Sequence, residues 1–303
     1  MPIHLPPLSR REFLKRSLAA GAGLSVAGEL FAAGGRTDAN FWALFSDPHV
    51  AADRALVARG VNMADHLDKA AAELAALPAR PAGLIVNGDC AYDHGETADY
   101  ARLVELLAPI RKNEIPIHLA LGNHDNRERF WEGIESEGKA RRPVADKQAA
   151  LVKGSRANWF ILDSLEKTLS TPGFLGAEQL DWLAKALDAN PRKPALVMVH
   201  HNPDEKAGTN GLKDTAALFE ILRQREQVKA LFFGHTHKWK IETDSSGIHL
   251  VNLPAVAYPF QDTEPTGWVM ANVDKAGIKL TLRCIDTTHK SHGQMVVLKW
   301  RVA

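Results

Sequence analysis

Five short polar runs in this sequence each follow a short apolar stretch, and this arrangement constrains the fold more than any other feature. The carboxyl ends of strands in an α/β sheet are the usual place for ligand-binding side chains. We therefore expect the five runs to converge, although they are far apart in the chain. The runs are Asp47-Pro48-His49, Gly88-Asp89, Gly122-Asn123-His124-Asp125, His200-His201 and Gly234-His235-Thr236-His237.

Apolar, β-branched and aromatic stretches predict the strands, and helical periodicity predicts the helices. The predicted strands cover 41–46, 83–87, 115–121, 157–163, 195–200, 229–233, 248–253, 267–273, 278–285 and 295–300. The predicted helices cover about 53–77, 97–112, 177–189 and 213–226. Strands and helices alternate first, and the last fifth of the chain is nearly all strand. This order favours α/β layers with a paired sheet over a simple open parallel sheet.

Length and composition fit one globular domain after the N-terminal region. The chain has 303 residues, of which 45% are hydrophobic, so it can bury a large core. The formal net charge is +1 with no basic block beyond the N-terminus, so we expect no nucleic-acid polymer as a partner. Cys90 and Cys284 are too few for a disulfide framework. A buried free thiol is favoured for Cys90, and a bridge between the two cysteines stays open.

The residue types in the five runs favour a pair of metal ions. Each run by itself has a structural interpretation, such as a turn, a loop start, a helix N-cap or a buried histidine pair. Together they offer carboxylate, imidazole and amide groups, which suit Mn, Fe, Co or Zn better than Ca or Mg. Two metal ions about 3.5–4 Å apart stabilise the negative charge on phosphoryl oxygens and supply hydroxide at neutral pH. A carboxylate, which has two oxygens, is the natural ligand for the two ions to share.

The runs and their order resemble the calcineurin-like metallophosphoesterase superfamily, whose pattern is D-x-H, G-D, G-N-H-D, an isolated H and G-H-x-H. The resemblance covers nearly all of the chain after the N-terminal region. It implies an α/β fold, a four-layer αββα sandwich of two mixed β-sheets flanked by helices. The longer stretches Gly122–Arg127 and His200–Pro203 are most similar to the branch that contains class III cyclic-nucleotide phosphodiesterases.

The same resemblance implies a ligand set for two divalent or trivalent transition-metal ions. One ion takes Asp47, His49 and His237, Asp89 bridges, and the other ion takes Asn123, His200 and His235. If the runs continue the strands, residues two apart point to the same side, which brings Asp47 together with His49 and His235 with His237. His201 is expected outside the ligand set.

His124 is the expected general acid, and Asp125 is expected to orient it or tune its pKa through a carboxylate–imidazole contact. In the family a hydroxide that bridges the ions attacks phosphorus, and the acid protonates the departing alkoxide. Three further residues are candidates for the substrate pocket: Arg127, His94 and Tyr92. A salt bridge at a helix start is an equal alternative for Arg127.

The resemblance predicts a metallophosphoesterase that acts on a small-molecule phosphoester. A phosphodiesterase is favoured, with a cyclic nucleotide as one candidate substrate. A phosphomonoesterase or protein phosphatase with the same site is the alternative. A metal-dependent binding module without catalysis is a remote third interpretation. No serine or cysteine nucleophile motif and no glycine-rich phosphate-binding loop is recognisable in the sequence.

The N-terminus predicts an export signal. Arg10 and Arg11 are followed by Phe13-Leu14 and then by a weakly apolar, Gly/Ala-rich run. This pattern is typical of a twin-arginine signal peptide, which is a receptor-read address and not a membrane anchor. We expect residues 1–34 to be a cleaved leader for the twin-arginine translocation machinery and 35–303 to be the metallophosphoesterase domain. The expected location is the periplasm or the medium.

Overall fold

The computed structural model describes residues 4–6, 36–134, 142–204 and 210–302. The strands are β1 His4–Leu5, β2 Thr37–Phe45, β3 Val57–Ala58, β4 Val61–Asn62, β5 Arg80–Asn87, β6 Ile117–Ala120, β7 Ala150–Lys153, β8 Asn158–Ile161, β9 Ala195–Met198, β10 Val228–Phe233, β11 Lys240–Thr243, β12 His249–Asn252, β13 Gly267–Val273, β14 Gly277–Cys284 and β15 Met295–Lys299. The helices are α1 Met63–Ala75, α2 Thr97–Leu106, α3 Ala108–Lys112, α4 Arg127–Ile134, α5 Ala177–Asp188 and α6 Thr215–Arg223.

Two mixed sheets form the centre of the molecule. The first has the order β1-β6-β5-β2-β13-β14-β15, in which β2, β5 and β6 are parallel and the other neighbours are antiparallel. The second has the order β11-β12-β10-β9-β8-β7, with four parallel strands between antiparallel edges. Each of the five polar runs follows one of the parallel strands β2, β5, β6, β9 or β10.

Alternating side chains along each strand divide the core into layers. Trp42 and Leu44 of β2 pack between the sheets with Trp159 and Phe232 of the second sheet. The next residues along β2, such as Phe45, face the other way and pack with α1 and α2. The outer face of the second sheet packs on α5 and α6. The layers are therefore helix, sheet, sheet and helix, and the predicted four-layer sandwich is confirmed.

Most predicted elements are present, with informative differences. The helix predicted over 53–77 begins only at Met63, because a hairpin of β3 and β4 precedes it and Asn62 caps it by accepting from the Asp65 N–H. The helix predicted over 97–112 is divided at Leu107 into α2 and α3, with a proline in the first turn of α3. Strands β7 and β11 were not predicted, because each is a four-residue edge strand without strong alternation.

The N-terminal prediction is only partly within the described residues. Arg10, Arg11 and the Gly/Ala-rich run lie outside them. Residues 4–6 are described: β1 pairs antiparallel with β6, Leu5 is fully buried, and the Arg111 Nε donates to the Pro6 carbonyl. In the described part of the chain, no helix combines the length and the hydropathy that a membrane span needs.

Both cysteines are buried free thiols, as favoured for Cys90. The Cys90 Sγ lies 3.6 Å from the Ala120 carbonyl oxygen, inside the core between the first sheet and its helices. Burial raises the pKa of the Cys90 thiol well above its usual value, and the neighbouring carboxylate of Asp125 adds to this shift. The thiol therefore stays protonated, which disfavours metal ligation by Cys90.

Candidate metal centre

The candidate ligands lie in tight loops just beyond the strand ends. Asp47, His49, Asp89, His235 and His237 all have left-handed backbones, with φ between 45° and 66°. Strand β2 ends at position 45, before Asp47 and His49, and strand β10 ends at position 233, before His235 and His237. The expectation that strand alternation aligns the pairs was therefore wrong in its reason: left-handed turns bring the side chains together. Such conformations cost roughly 1–3 kcal/mol each and are concentrated at functional sites.

Two glycines allow the loops to approach each other closely. A Cβ on Gly122 would collide with the Asp89 Oδ1. A Cβ on Gly88 would lie 2.7 Å from the His200 Nδ1, and its backbone is left-handed with φ 76°. The glycines of the Gly88-Asp89 and Gly122-Asn123 runs are therefore needed for the packing of Asp89 and His200.

One group of possible ligand atoms combines Asp47, His49, Asp89 and His237, whose atoms all lie within 4.8 Å of one another. The His237 Nε2 is 3.3 Å from the Asp47 Oδ1, and the His49 Nε2 is 3.5 Å from the Asp89 Oδ2. All four residues are buried. This is the predicted first ligand set together with the predicted bridging carboxylate.

A second group combines Asp89, His200 and His235 within the same limit, so Asp89 belongs to both groups. The His200 Nε2 is 3.3 Å from the Asp89 Oδ2. Asn123 is buried, its Oδ1 has no hydrogen-bond partner among the described residues, and the next residue, His124, donates its N–H to Asp89. The seven predicted ligands thus come from five loops of both sheets.

Backbone carbonyls orient the histidine rings. The His237 Nδ1 lies 2.6 Å from the Tyr258 carbonyl oxygen, the His200 Nδ1 2.8 Å from that of Asn87, and the His49 Nδ1 3.3 Å from that of Tyr92. A carbonyl accepts only from a protonated nitrogen, so Nδ1 carries the proton and Nε2 faces the carboxylates. Carbonyl partners of this kind fix the tautomer of metal-binding histidines.

The electrostatics of the cluster favour bound cations. Burial alone would raise the pKa of Asp47 and Asp89, but the neighbouring histidines hold both carboxyls below their usual range. Burial lowers the pKa of His49 to about 3 and that of His235 to about 4. For His200, burial is outweighed by Asp89 and Asp47, which raise its pKa to about 10. The two buried carboxylates thus stay ionised and attract positive charge, while His49 and His235 stay neutral.

The donor set fits a pair of transition-metal ions. It contains two carboxylates, four imidazoles and one amide, and the described residues include no lysine or arginine that forms a salt bridge with Asp47 or Asp89. The His200 Nε2 and the Asn123 Oδ1 are buried polar atoms without hydrogen-bond partners there. Leaving such atoms unpaired costs about 1–3 kcal/mol each, and coordination to a metal ion would satisfy them.

His124 lies beside the cluster, but its polar partner is not the predicted one. Its Nδ1 is 3.2 Å from the Asp93 carbonyl oxygen and 3.8 Å from the Asp93 Oδ1, and its ring is edge-on to that of His49 at 5.0 Å. The side chain is 28% exposed, so a substrate can reach it. Asp93 also faces His94, whose Nε2 lies 3.2 Å from the Asp93 Oδ2.

The predicted contact between the Asp125 carboxylate and the His124 imidazole is not present in the structure. The Asp125 carboxylate is fully buried and accepts from the backbone N–H groups of Gly122, Cys90 and Ala91. It points into the protein because the turn that begins at Gly122 directs the side chains of residues 124 and 125 to different sides. Asp125 therefore joins the loops that carry Asp89 and Asn123, and Asp93 takes its place next to the imidazole.

The structure also corrects the interpretation of Arg127 as a substrate-pocket residue. Its guanidinium forms a two-bonded salt bridge with the buried Asp163 and donates to the Leu165 carbonyl. These partners occupy the guanidinium, so the salt-bridge alternative applies, although with a partner that is distant in sequence. Of the other two pocket candidates, His94 is 59% exposed beside Asp93, and Tyr92 packs under the loop that carries Tyr258.

Some residues around the cluster were not predicted as site residues. Tyr258 stacks on His49 at 5.1 Å, and Phe260 stacks on His237 at 4.1 Å. His201 lies outside the ligand groups, as expected, with its Nδ1 2.7 Å from the Ser164 Oγ. No motif distinguishes Tyr258 or Phe260, because their loop is distant in sequence from the ligands.

Comparisons with known proteins agree with this geometry. The family described as Calcineurin-like phosphoesterase matches residues 43–239. A 3',5'-cyclic adenosine monophosphate phosphodiesterase of Haemophilus influenzae is 27% identical over 236 residues, which cover 74% of this chain and 81% of that protein. A probable cyclic nucleotide phosphodiesterase of Synechococcus is 31% identical over 199 residues, covering 64% and 72%.

Two solved structures share the fold. A dimetal phosphatase from Danio rerio has a TM-score of 0.65 at 16% identity, covering 86% of this chain and 99% of that one. A purple acid phosphatase from yellow lupin has a TM-score of 0.63 at 14% identity, covering 86% and 53%. With the family match over most of the domain and the metal-ligand groups at its strand ends, this chain belongs to the calcineurin-like phosphoesterase family and is a phosphoric ester hydrolase.

Proposed function

We propose that this protein is a dinuclear metal-dependent phosphodiesterase. The observation that carries the proposal is that Asp89 belongs to both ligand groups, so that one carboxylate can join two ions. Ions bound there would polarise the phosphoryl oxygens and lower the pKa of a water molecule. The donor set supports Mn, Fe, Co or Zn.

The chain's own residues have distinct tasks in this proposal. The buried loops hold the phosphate next to His124. Because the His124 Nδ1 faces the Asp93 carbonyl, Nε2 is the atom that transfers a proton to the departing oxygen. Asp93 positions that ring, and Tyr258 and Phe260 support the rings of His49 and His237.

The substrate class is proposed from the relatives. Those compared above carry names that refer to cyclic adenosine monophosphate or cyclic nucleotides, at 27% and 31% identity. We propose a cyclic nucleotide as substrate. The measurement is turnover of bis- and mono-p-nitrophenyl phosphate and of 3',5'-cyclic nucleotides by protein loaded with Mn²⁺. A strong preference for the monoester would instead favour a phosphomonoesterase.

Export is proposed from the N-terminal sequence alone. Arg10 and Arg11 fit recognition by the twin-arginine machinery, which exports folded proteins to the periplasm or the medium. A reporter fused to residues 1–40 is expected to leave the cytoplasm, and replacement of both arginines by lysine is expected to retain it there. Export of the double variant would contradict the proposal.

A further inference from the structure

A β-hairpin beside the candidate metal centre carries an arginine whose charge the described residues do not neutralise. Strands β3 and β4 pair, and Arg59 and Gly60 form the turn between them, with φ 51° and 77°. Two consecutive left-handed residues are typical of a type I′ turn, but an arginine is unfavourable there. The turn therefore holds the backbone of Arg59 in a left-handed conformation that residues with a side chain rarely adopt.

The base of this hairpin is firmly anchored. Ala58 and Val61 pack on a small cluster that includes Met63 and Tyr258. Asn62 donates to the Arg54 carbonyl while it caps α1, as described above. The hairpin is thus tied to α1 and to the loop of Tyr258, and its tip is fixed relative to the ligand histidines.

Arg59 lies over the aromatic side chains that support the ligand histidines. Its guanidinium carbon is 5.3 Å from the ring centre of Tyr258 and 5.3 Å from that of Phe260. Both distances are within the range of a cation–π contact. Tyr258 is almost fully buried, whereas Phe260 is 51% exposed. The two rings hold the guanidinium at the rim of the site.

No carboxylate of the described residues forms a salt bridge with Arg59. The contrast is Arg54, which lies close to it in the chain and pairs with Asp65 and Asp68. The Phe260 ring lies between the guanidinium of Arg59 and His237, so the guanidinium lies beside the candidate metal centre and not in it. Arg59 is exposed, so its guanidinium is open to a ligand that enters the site.

A planar guanidinium stacks on a nucleobase with its face and donates hydrogen bonds with its edge. We propose that Arg59 is a specificity-determining residue that binds the nucleobase of the substrate, with Phe260 and Tyr258 as its positioning residues. This inference rests on the proposed function for the identity of the reacting group. It adds a base-binding subsite formed by the hairpin tip.

Binding of a nucleotide with and without its base tests this proposal. The experiment uses the His124→Ala protein loaded with Mn²⁺, so that the ligands are not hydrolysed, and calorimetry gives Kd for 5'-AMP and for ribose 5-phosphate. We expect 5'-AMP to bind more tightly. Arg59→Ala is expected to weaken 5'-AMP binding roughly 5- to 100-fold and to leave ribose 5-phosphate binding unchanged, because stacking on the base is lost.

Matched variants separate base recognition from simple charge. Arg59→Lys keeps the charge but loses the planar group, so we expect it to behave like Arg59→Ala. Phe260→Ala is expected to give a smaller loss of the same kind. The control is Arg192→Ala, an exposed arginine at the other end of the second sheet, which should change neither Kd. Metal content measured in each protein verifies that the ions are retained.

Three outcomes would overturn the inference. They are equal loss of both ligands in Arg59→Ala, full retention of 5'-AMP binding in Arg59→Lys, and no difference between the two ligands in the parent protein. Failure of the metal-loaded wild-type protein to hydrolyse any phosphodiester would instead contradict the proposed function. The binding comparison still reports on the subsite in that case, since it needs no turnover.

Discussion

Asp89 and Asp244 are both aspartates in short loops that follow a strand, but they have very different partners. Asp244 accepts from the Ser246 N–H and Oγ, from the Ile248 N–H and from Arg223. Asp89 accepts the N–H of His124 and otherwise faces histidines. Arg223 and the neighbouring N–H and hydroxyl groups satisfy the Asp244 carboxylate. The Asp89 carboxylate has no arginine or lysine partner among the described residues and remains able to bind metal ions. Loops of similar length thus serve stability in one place and ligand binding in the other.

The largest expected effect comes from replacing the shared carboxylate. Asp89→Ala is expected to lose both ions and to reduce phosphodiester hydrolysis to background, because both ligand groups contain Asp89. Metal analysis after gel filtration and the activity assay measure this. Ions that bind only the native state raise Tm, so added Mn²⁺ should stabilise the wild type and not the variant. Asp244→Ala is the control and should retain the ions; an equal metal-induced Tm increase in Asp89→Ala would contradict the bridging role.

His124→Ala sharpens the distinction between holding ions and transferring protons. We expect both ions to remain and kcat to fall roughly 10²–10⁴-fold, as for loss of a general acid. Metal analysis and steady-state kinetics check this. A substrate with a very acidic leaving group, which needs little protonation, should recover much of the rate. Loss of metal in this variant would contradict the division of roles.

Asp93→Asn tests whether the Asp93 carboxylate, 3.8 Å from the His124 Nδ1, positions His124 in addition to the Asp93 backbone carbonyl, which the substitution keeps. We expect kcat to fall roughly 10- to 100-fold with little change in KM, since a misplaced catalytic group has losses of this order. Asp93→Glu should restore part of the rate. Asp125→Asn is the comparison: it weakens three backbone hydrogen bonds in the core, so its main effect should be a lower free energy of unfolding. A kcat effect without destabilisation in Asp125→Asn would restore the original assignment.

The smallest effect is expected at Asp244. Burial opposes its ionisation, but hydrogen bonds from Ser246 and Arg223 lower its pKa below the usual 3.8. A lowered pKa in the folded state gives stability that is present above pH 3.8 and is lost as the pH falls through the lowered value. Asp244→Asn should therefore reduce the free energy of unfolding by about 1–2 kcal/mol at pH 7 and by less below pH 4. Urea unfolding in EDTA at several pH values measures this, and unchanged stability at pH 7 would contradict it.

The sequence allowed much of the site to be predicted, because its ligands are short motifs at the ends of recognisable strands. Asp47, Asp89 and His237 come together as the order of the motifs implied. Contacts between loops could not be predicted in the same way. The pairing of His124 with Asp93 depends on how two turns face each other, and the pairing of Arg127 with Asp163 joins the start of α4 to the loop after β8.

The sequence by itself predicted the alternating strands and helices and the ligand types, because periodicity and metal-binding side chains are local properties, while the four-layer order followed from the resemblance to the superfamily. Only the tertiary structure decided which aspartate lies beside His124, which carboxylate pairs with Arg127 and which arginine reaches the rim. These depend on left-handed turns and on a hairpin whose tip meets a loop far along the chain. Distances between such loops follow from the packing of two sheets, and no single stretch of sequence encodes them.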